Sequence, residues 1–129
     1  MAQESFGLRK IGQISVNAHD LKKMTAFYRD TLGMKFLFEA PNMAFFDCDG
    51  VRLMLSAPEG PEFDHASSVL YFKVPDIRAA HRELVDRSVR FEGEPHLITR
   101  MPTHELWMAF FRDPEKNVMA LMSEVPTAK

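Results

Sequence analysis

Between residues 11 and 56 the hydrophobic period changes from two to between three and four and back again. Apolar and polar positions alternate from Ile11 to Val16, which predicts a short strand. Leu21, Met24, Phe27, Tyr28 and Leu32 then recur at three- and four-residue spacing, so Asp20 is expected to cap a helix with one apolar face that ends at Gly33. Strand patterns return at Lys35 to Glu39, Met43 to Cys48 and Val51 to Ser56, the last two joined by the hairpin dipeptide Asp49-Gly50. The first half therefore reads strand, helix, strand, strand, strand.

The stretch "APEGPEFDHASS", residues 57–68, is rich in Pro, Gly and acids and reads as a connector. Beyond it the same order repeats. Val69 to Val74 predicts a strand, and Pro75-Asp76 opens a helix whose apolar positions are Ile77, Ala80, Leu84 and Val85. Val89 to Phe91 with an extension towards Ile98, Leu106 to Arg112 and Val118 to Ser123 are expected as the remaining strands. The pattern predicts an α+β fold of two tandem βαβββ modules, at about residues 8–56 and 68–124, joined by a linker at about 57–67 within one domain. Each helix covers one face of its sheet, so the other face needs the second half, a partner chain or a ligand.

Composition narrows the partners. With 129 residues, 46 % of them hydrophobic, the chain suffices for one ordinary core. A net charge of −2 and the lack of any Lys/Arg run give no electrostatic footprint for nucleic acid or an anionic membrane. The first residues lack an apolar signal segment and no later stretch approaches the ~20 apolar residues of a bilayer span, so a cytoplasmic protein is expected. Cys48 has no second cysteine to pair with, and Asp47 and Asp49 beside it would raise its pKa, which argues against a catalytic thiol. No Gly-rich phosphate loop, G-x-S-x-G elbow, CxxC pair or H-E-x-x-H motif occurs.

Candidate chemistry concentrates in "EPHLITRMPTHELWMAFF", residues 94–111. A histidine beside a carboxylate can act as a general base or a metal ligand, which makes His104 and Glu105 the catalytic candidates. Pairing of the two strands in this stretch would bring His96 towards His104; the alternative places both at solvated strand ends. Trp107 either lines a pocket or fills core. The same choice applies to the nine methionines and eleven phenylalanines, which suit a pocket for a bulky apolar ligand or an adaptable core. Arg52, if it faces the concavity, is the candidate for holding an anionic group. His19 and His81 read as structural or neutral, and His65, beside Asp64, as a linker residue.

"IGQISVNAHDLKKMTAFYRDTLGM" in the first module, and "VLYFKVPDIRAAHREL" with "MAFFRDPEKNVMALM" in the second, resemble the vicinal oxygen chelate superfamily. That superfamily includes glyoxalase I, extradiol dioxygenases, and the fosfomycin and bleomycin resistance proteins. The resemblance covers nearly the whole chain. It implies curved sheets that form a cup, often completed in a homodimer, and in the metal-dependent members a divalent ion held by His, Gln and Glu at four strand positions.

Those positions fall on Gln13, on Arg52 or Met54, on Val69 and on Ala120. Gln13 alone supplies a matching donor, and Ala120 stands where an acid is usual. The resemblance thus implies a protein that binds a small organic molecule in a sheet-lined cup formed by Gln13, Arg52, Met54, Trp107 and Ala120, with His104 nearby. No cofactor and no usual metal site are expected. The alternative is a metal-dependent lyase, isomerase or dioxygenase with a rearranged site built from Gln13, His96 and His104 with Glu105. A third reading is an interaction module whose cup is filled by Phe45, Phe46, Phe110 and Phe111.

Overall fold

The structure, a computed structural model, describes residues 6–127. The first module runs β1 (Gln13–Asn17), α1 (Leu21–Ala26), a π-helical turn (Phe27–Thr31), β2 (Lys35–Ala40), β3 (Met43–Cys48) and β4 (Val51–Ser56). A linker with one 3-10 turn (Pro61–Phe63) leads to β5 (Leu70–Lys73), α2 (Ile77–Asp86), β6 (His96–Arg100), β7 (His104–Arg112) and β8 (Val118–Pro126). Each module has a four-stranded sheet, ordered β1-β4-β3-β2 and β5-β8-β7-β6. In both, the first strand pairs in parallel with the last and the other pairs are antiparallel. The fold is α+β with a repeated βαβββ module. Among the described residues no helix is long and apolar enough to cross a membrane.

Local chemistry explains the boundaries. Asp20 and Asp76 cap the two helices by accepting from the N–H groups of Lys23 and Ala79. One expectation is corrected: Val89 to Phe91 is not a strand. Only Phe91 forms a bridge, to Phe111, and Val89 turns into the core. The sixth strand begins at His96, because Gly93 at φ 159° bends the chain and Pro95 has no N–H to give a ladder. β7 starts at His104 and β8 runs on to Pro126, both beyond the expected limits, because their antiparallel register continues without a break from Arg112↔Val118 to His104↔Pro126.

Side-chain alternation sends one face of each sheet to its helix. Val16, Ala44, Phe46, Leu53 and Leu55 pack with Met24 and Tyr28, and Ala109, Phe111, Met119 and Leu121 pack with Ile77, all in one continuous core. The late D-P-x-x-N turn joins the modules. Asp113 is 4 % exposed. Its Oδ1 accepts from the N–H groups of Glu115 and Asn117, and its Oδ2 accepts from Asn117 Nδ2 and, at 2.8 Å, from the Tyr28 hydroxyl. Burial and the neighbouring Asp113 charge push the Tyr28 hydroxyl far above its ordinary pKa, so it stays a donor. Glu115 accepts from the N–H groups of His19 and Asp20 just before α1, and Arg87 Nη1 donates to the Thr31 carbonyl. These contacts lie on the helix side of the sheets or at the strand ends beside it. The opposite, open faces carry the candidate site.

Candidate functional site

Alternation along β1 and its parallel register with β4 set Gln13 beside Arg52, Ser15 beside Met54 and Asn17 beside Ser56 on the open face of the first module. The β3 partners on that face are Phe45 opposite Met54 and Asp47 opposite Arg52. Arg52 Nε donates to Gln13 Oε1 at 2.9 Å, and its guanidinium lies over the Phe45 ring, 5.6 Å from the centroid. Phe38 stacks on Phe45 at 4.5 Å, while Gln13 Nε2 makes a 3.8 Å contact to Met54 Sδ. The result is a cation resting on an aromatic shelf, steered from one side by an amide. Among the described residues, Gln13 is the one hydrogen-bond acceptor this guanidinium has.

The second module's open face is also aromatic. Tyr71 and Phe110 both neighbour Ala120 in register and meet edge-on at 6.1 Å above it, and His96 stacks on Phe110 at 6.3 Å. Ala120 is fully buried. Met108, Met122 and Lys73 continue the same face. The structure thus groups Gln13, Arg52 and Met54 on one open face and Ala120 with His96 on the other.

Trp107 goes elsewhere. It shares strand parity with Ala109 and Phe111, packs against the core, and has the Arg78 guanidinium of α2 over its ring at 5.3 Å. The Trp107 indole N–H donates to Glu105 Oε1 at 3.2 Å, and Glu105 also accepts from Arg100 Nε at 3.0 Å. The Arg100 hydrogen bond, then that of Trp107, holds the Glu105 carboxyl below its ordinary pKa. A carboxylate engaged in this way is a poor base. His104 follows the opposite parity and contacts Thr103 Oγ1 through Nδ1 at 3.1 Å.

The β6–β7 hairpin also separates the histidines. His96 pairs with Met108, whereas His104 lies at the far end of the hairpin beside Met101. His104 is four strand positions, about 13 Å, along β7 from the residue that His96 pairs with. The grouping of Gln13, His96 and His104 is therefore not assembled within one chain. Among the described residues no cluster of three or more His, Cys, Asp or Glu side chains is placed to hold a metal ion.

The sequence profile of the glyoxalase/bleomycin resistance protein/dioxygenase superfamily matches residues 10–121. The chain belongs to that superfamily. It is 28 % identical to the uncharacterized protein YraH of Bacillus subtilis (strain 168), across 87 % of this chain and 96 % of YraH. The solved structure of TnmS3, an antibiotic binding protein from Streptomyces sp. CB03234, superimposes with a TM-score of 0.74 at 23 % identity, covering 95 % of this chain and all of TnmS3 (100 %). Lactoylglutathione lyase from Agrobacterium tumefaciens superimposes with a TM-score of 0.71 at 22 % identity, covering 91 % and 95 % of the two chains. At these identities the solved structures establish the fold.

The superfamily's four metal positions can now be tested as a donor set. Gln13 Oε1 already accepts from a guanidinium, and Arg52 brings a positive charge where a carboxylate would be needed. Met54 supplies a soft sulfur, Val69 supplies nothing, and Ala120 lies under two aromatic rings. This set does not fit a hard divalent cation.

Sequence reasoning passed over Asn17, Phe38 and Tyr71. Counting by twos from Gln13 reaches Asn17, and counting by twos from Val69 reaches Tyr71, so both were accessible from strand parity alone. Phe38 was hidden by the bulge between Phe36 and Phe38, which shifts the face on which it emerges.

Proposed function

We propose that this protein binds a small, largely apolar organic molecule carrying an anionic group. The molecule sits in a cup lined by the open sheet faces and completed by a second copy of the chain, with no divalent ion at the superfamily's usual position. The observation that carries this reading is the Arg52 shelf. A guanidinium laid on Phe45 and steered by Gln13 offers directed N–H donors to a carboxylate or similar anion, beside the exposed Phe38 ring, which is stacked on Phe45 and can accept an apolar body.

The Tyr71, Phe110 and His96 rings on the other module give a second, largely aromatic surface. Tyr71 is 47 % exposed and Phe38 46 % exposed in the single chain. A second copy laid across these faces would bury both and close the cup. The likeness to TnmS3, described as an antibiotic binding protein, agrees with a binding rather than a catalytic role.

The test is calorimetric titration with a panel of two-ring aromatic carboxylates and their matching carboxamides, together with light scattering for the assembly mass. Carboxylates are expected to bind about tenfold or more tightly than the amides, as a charge-assisted pair supports. Arg52→Met should remove that preference while keeping the neutral amides bound, and the scattering mass should be twice that of the chain. Equal binding of acids and amides by the unmodified protein would refute the role of Arg52. A monomer that binds just as well would refute the completed cup.

A further inference from the structure

The linker does more than connect the modules. Residues 57–68 lie against the open face of the first module and roof a pocket of about 360 Å³, with Ser15, Asn17, Met54 and Ser56 beneath and Phe63 and Ser67 on the linker side. Two attachments of different chemistry hold this strap down. At the first, Asn17 Nδ2 donates to the carbonyls of Phe63 and His65, both at 2.8 Å, and the Asn17 N–H donates to Ser67 Oγ at 3.3 Å. None of these groups titrates near neutrality.

The second attachment is His19. Its Nε2 meets Asp64 Oδ1 of the strap at 2.8 Å, and its Nδ1 meets Glu115 Oε1 of the β7–β8 turn at 3.0 Å. Only the imidazolium has two N–H donors, so only the charged ring satisfies both carboxylates. A neutral ring, in either tautomer, turns a lone pair towards one of them. Glu115 is also fixed by the N–H groups of His19 and Asp20, at 2.8 and 2.6 Å. Among the described residues Asp64 has no second anchor of that kind, and it is the partner that lets go.

We propose that His19 is a proton-dependent latch on the strap: residues 57–68 are held over the pocket while His19 is charged and loosen as it loses its proton. This regulation rests on the reading of the first module's open face as a binding site. The segments that carry the latch bear other charged groups: Glu59, Glu62 and His65 on the strap, Asp113 and Lys116 on the turn, and Asp20, Lys22 and Lys23 at the start of α1. Asp64 and Glu115 are the two that contact the ring. Their hydrogen bonds, that of Asp64 first, raise the His19 pKa above its ordinary value, so the latch holds to a higher pH than a free imidazole would allow and releases as the pH rises through that raised value.

The test needs no ligand, so its failure is separable from failure of the binding reading. Amide hydrogen exchange of the strap is followed by mass spectrometry between pH 6 and pH 9 and corrected for intrinsic exchange. Strap protection is expected to fall about three- to fivefold across the His19 titration, the range that a solvent-exposed ion pair supports. His19→Gln and Asp64→Asn should remove this pH dependence, while Asn17→Ala should lower protection at every pH and keep the dependence. His19 ring resonances should titrate above the value of a free histidine. A strap whose protection is flat with pH, or a dependence that survives both His19→Gln and Asp64→Asn, would overturn the latch.

Discussion

Asp113→Ala removes the side chain that ties the β7–β8 turn to the first module. In the native protein Asp113 accepts four hydrogen bonds, one of them from Tyr28, whose side chain is wholly buried. Water can reach part of the turn and replace some of its bonds, but it cannot easily reach the Tyr28 hydroxyl. That hydroxyl keeps only its 3.3 Å contact to Met119 Sδ. An orphaned buried hydroxyl costs about 1–3 kcal/mol, and the lost turn bonds bring the total to about 3 kcal/mol. This is a large part of the ~5–15 kcal/mol by which a domain is stable, and it corresponds to a fall in Tm of about 10 °C. Tyr28→Phe is milder. It deletes one bond to a charged acceptor, and Asp113 Oδ2 retains Asn117 Nδ2, so about 1.5 kcal/mol is expected. The double variant leaves no orphaned hydroxyl and should cost less than the sum of the single changes by about 1.5 kcal/mol. Urea unfolding of the four proteins at pH 7 measures this coupling, provided the m-values agree. Costs that add to within about 0.5 kcal/mol would refute the claim that Asp113 and Tyr28 act as a unit.

Ala120→Glu restores an acid at the superfamily's position but places it beneath Tyr71 and Phe110. It should destabilise the protein by about 3 kcal/mol or more at pH 7 and by less at pH 5, where the buried acid is protonated, as urea unfolding at the two pH values would show. Gly33 adopts φ +73°, and an added Cβ would meet only Arg87 Nη1 at 3.8 Å, so Gly33→Ala should cost about 1 kcal/mol from backbone strain alone. His19 has a raised pKa in the folded state, so its stabilisation is fully present below the unfolded value of about 6.5 and is lost as pH rises through the folded value. The difference in thermal stability between the wild type and His19→Gln should therefore be largest in mildly acidic solution and vanish above the folded-state titration.

The repeated βαβββ order was legible because each element keeps a strong period and carries its own punctuation: Asp20 and Asp76 as caps, Gly33 at φ +73° and the Asp49-Gly50 turn. The stretch around Val89 misled because its apolar residues serve the core as side chains without joining a ladder, a distinction that periodicity cannot draw over three residues. Trp107 was ambiguous because both faces of β7 are apolar, and only the register against β8 assigns it to the helix side. The grouping of Gln13 with Arg52 follows from a parallel pairing between strands 39 residues apart, and the clamp of Asn17 on His65 spans 48. No local pattern encodes either. His19 read as structural or neutral for the same reason, since its two carboxylate partners come from the linker and from the opposite module.

The central claim is that the superfamily's metal position has become an anion site. It is tested most directly by calorimetric titration of tag-free protein with Mn, Fe, Ni and Zn salts, together with elemental analysis of the metal retained per chain. The account predicts no saturable site of defined stoichiometry, and no change in that result for Gln13→Ala. One metal ion retained per chain or per dimer, and lost in Gln13→Ala, would contradict it.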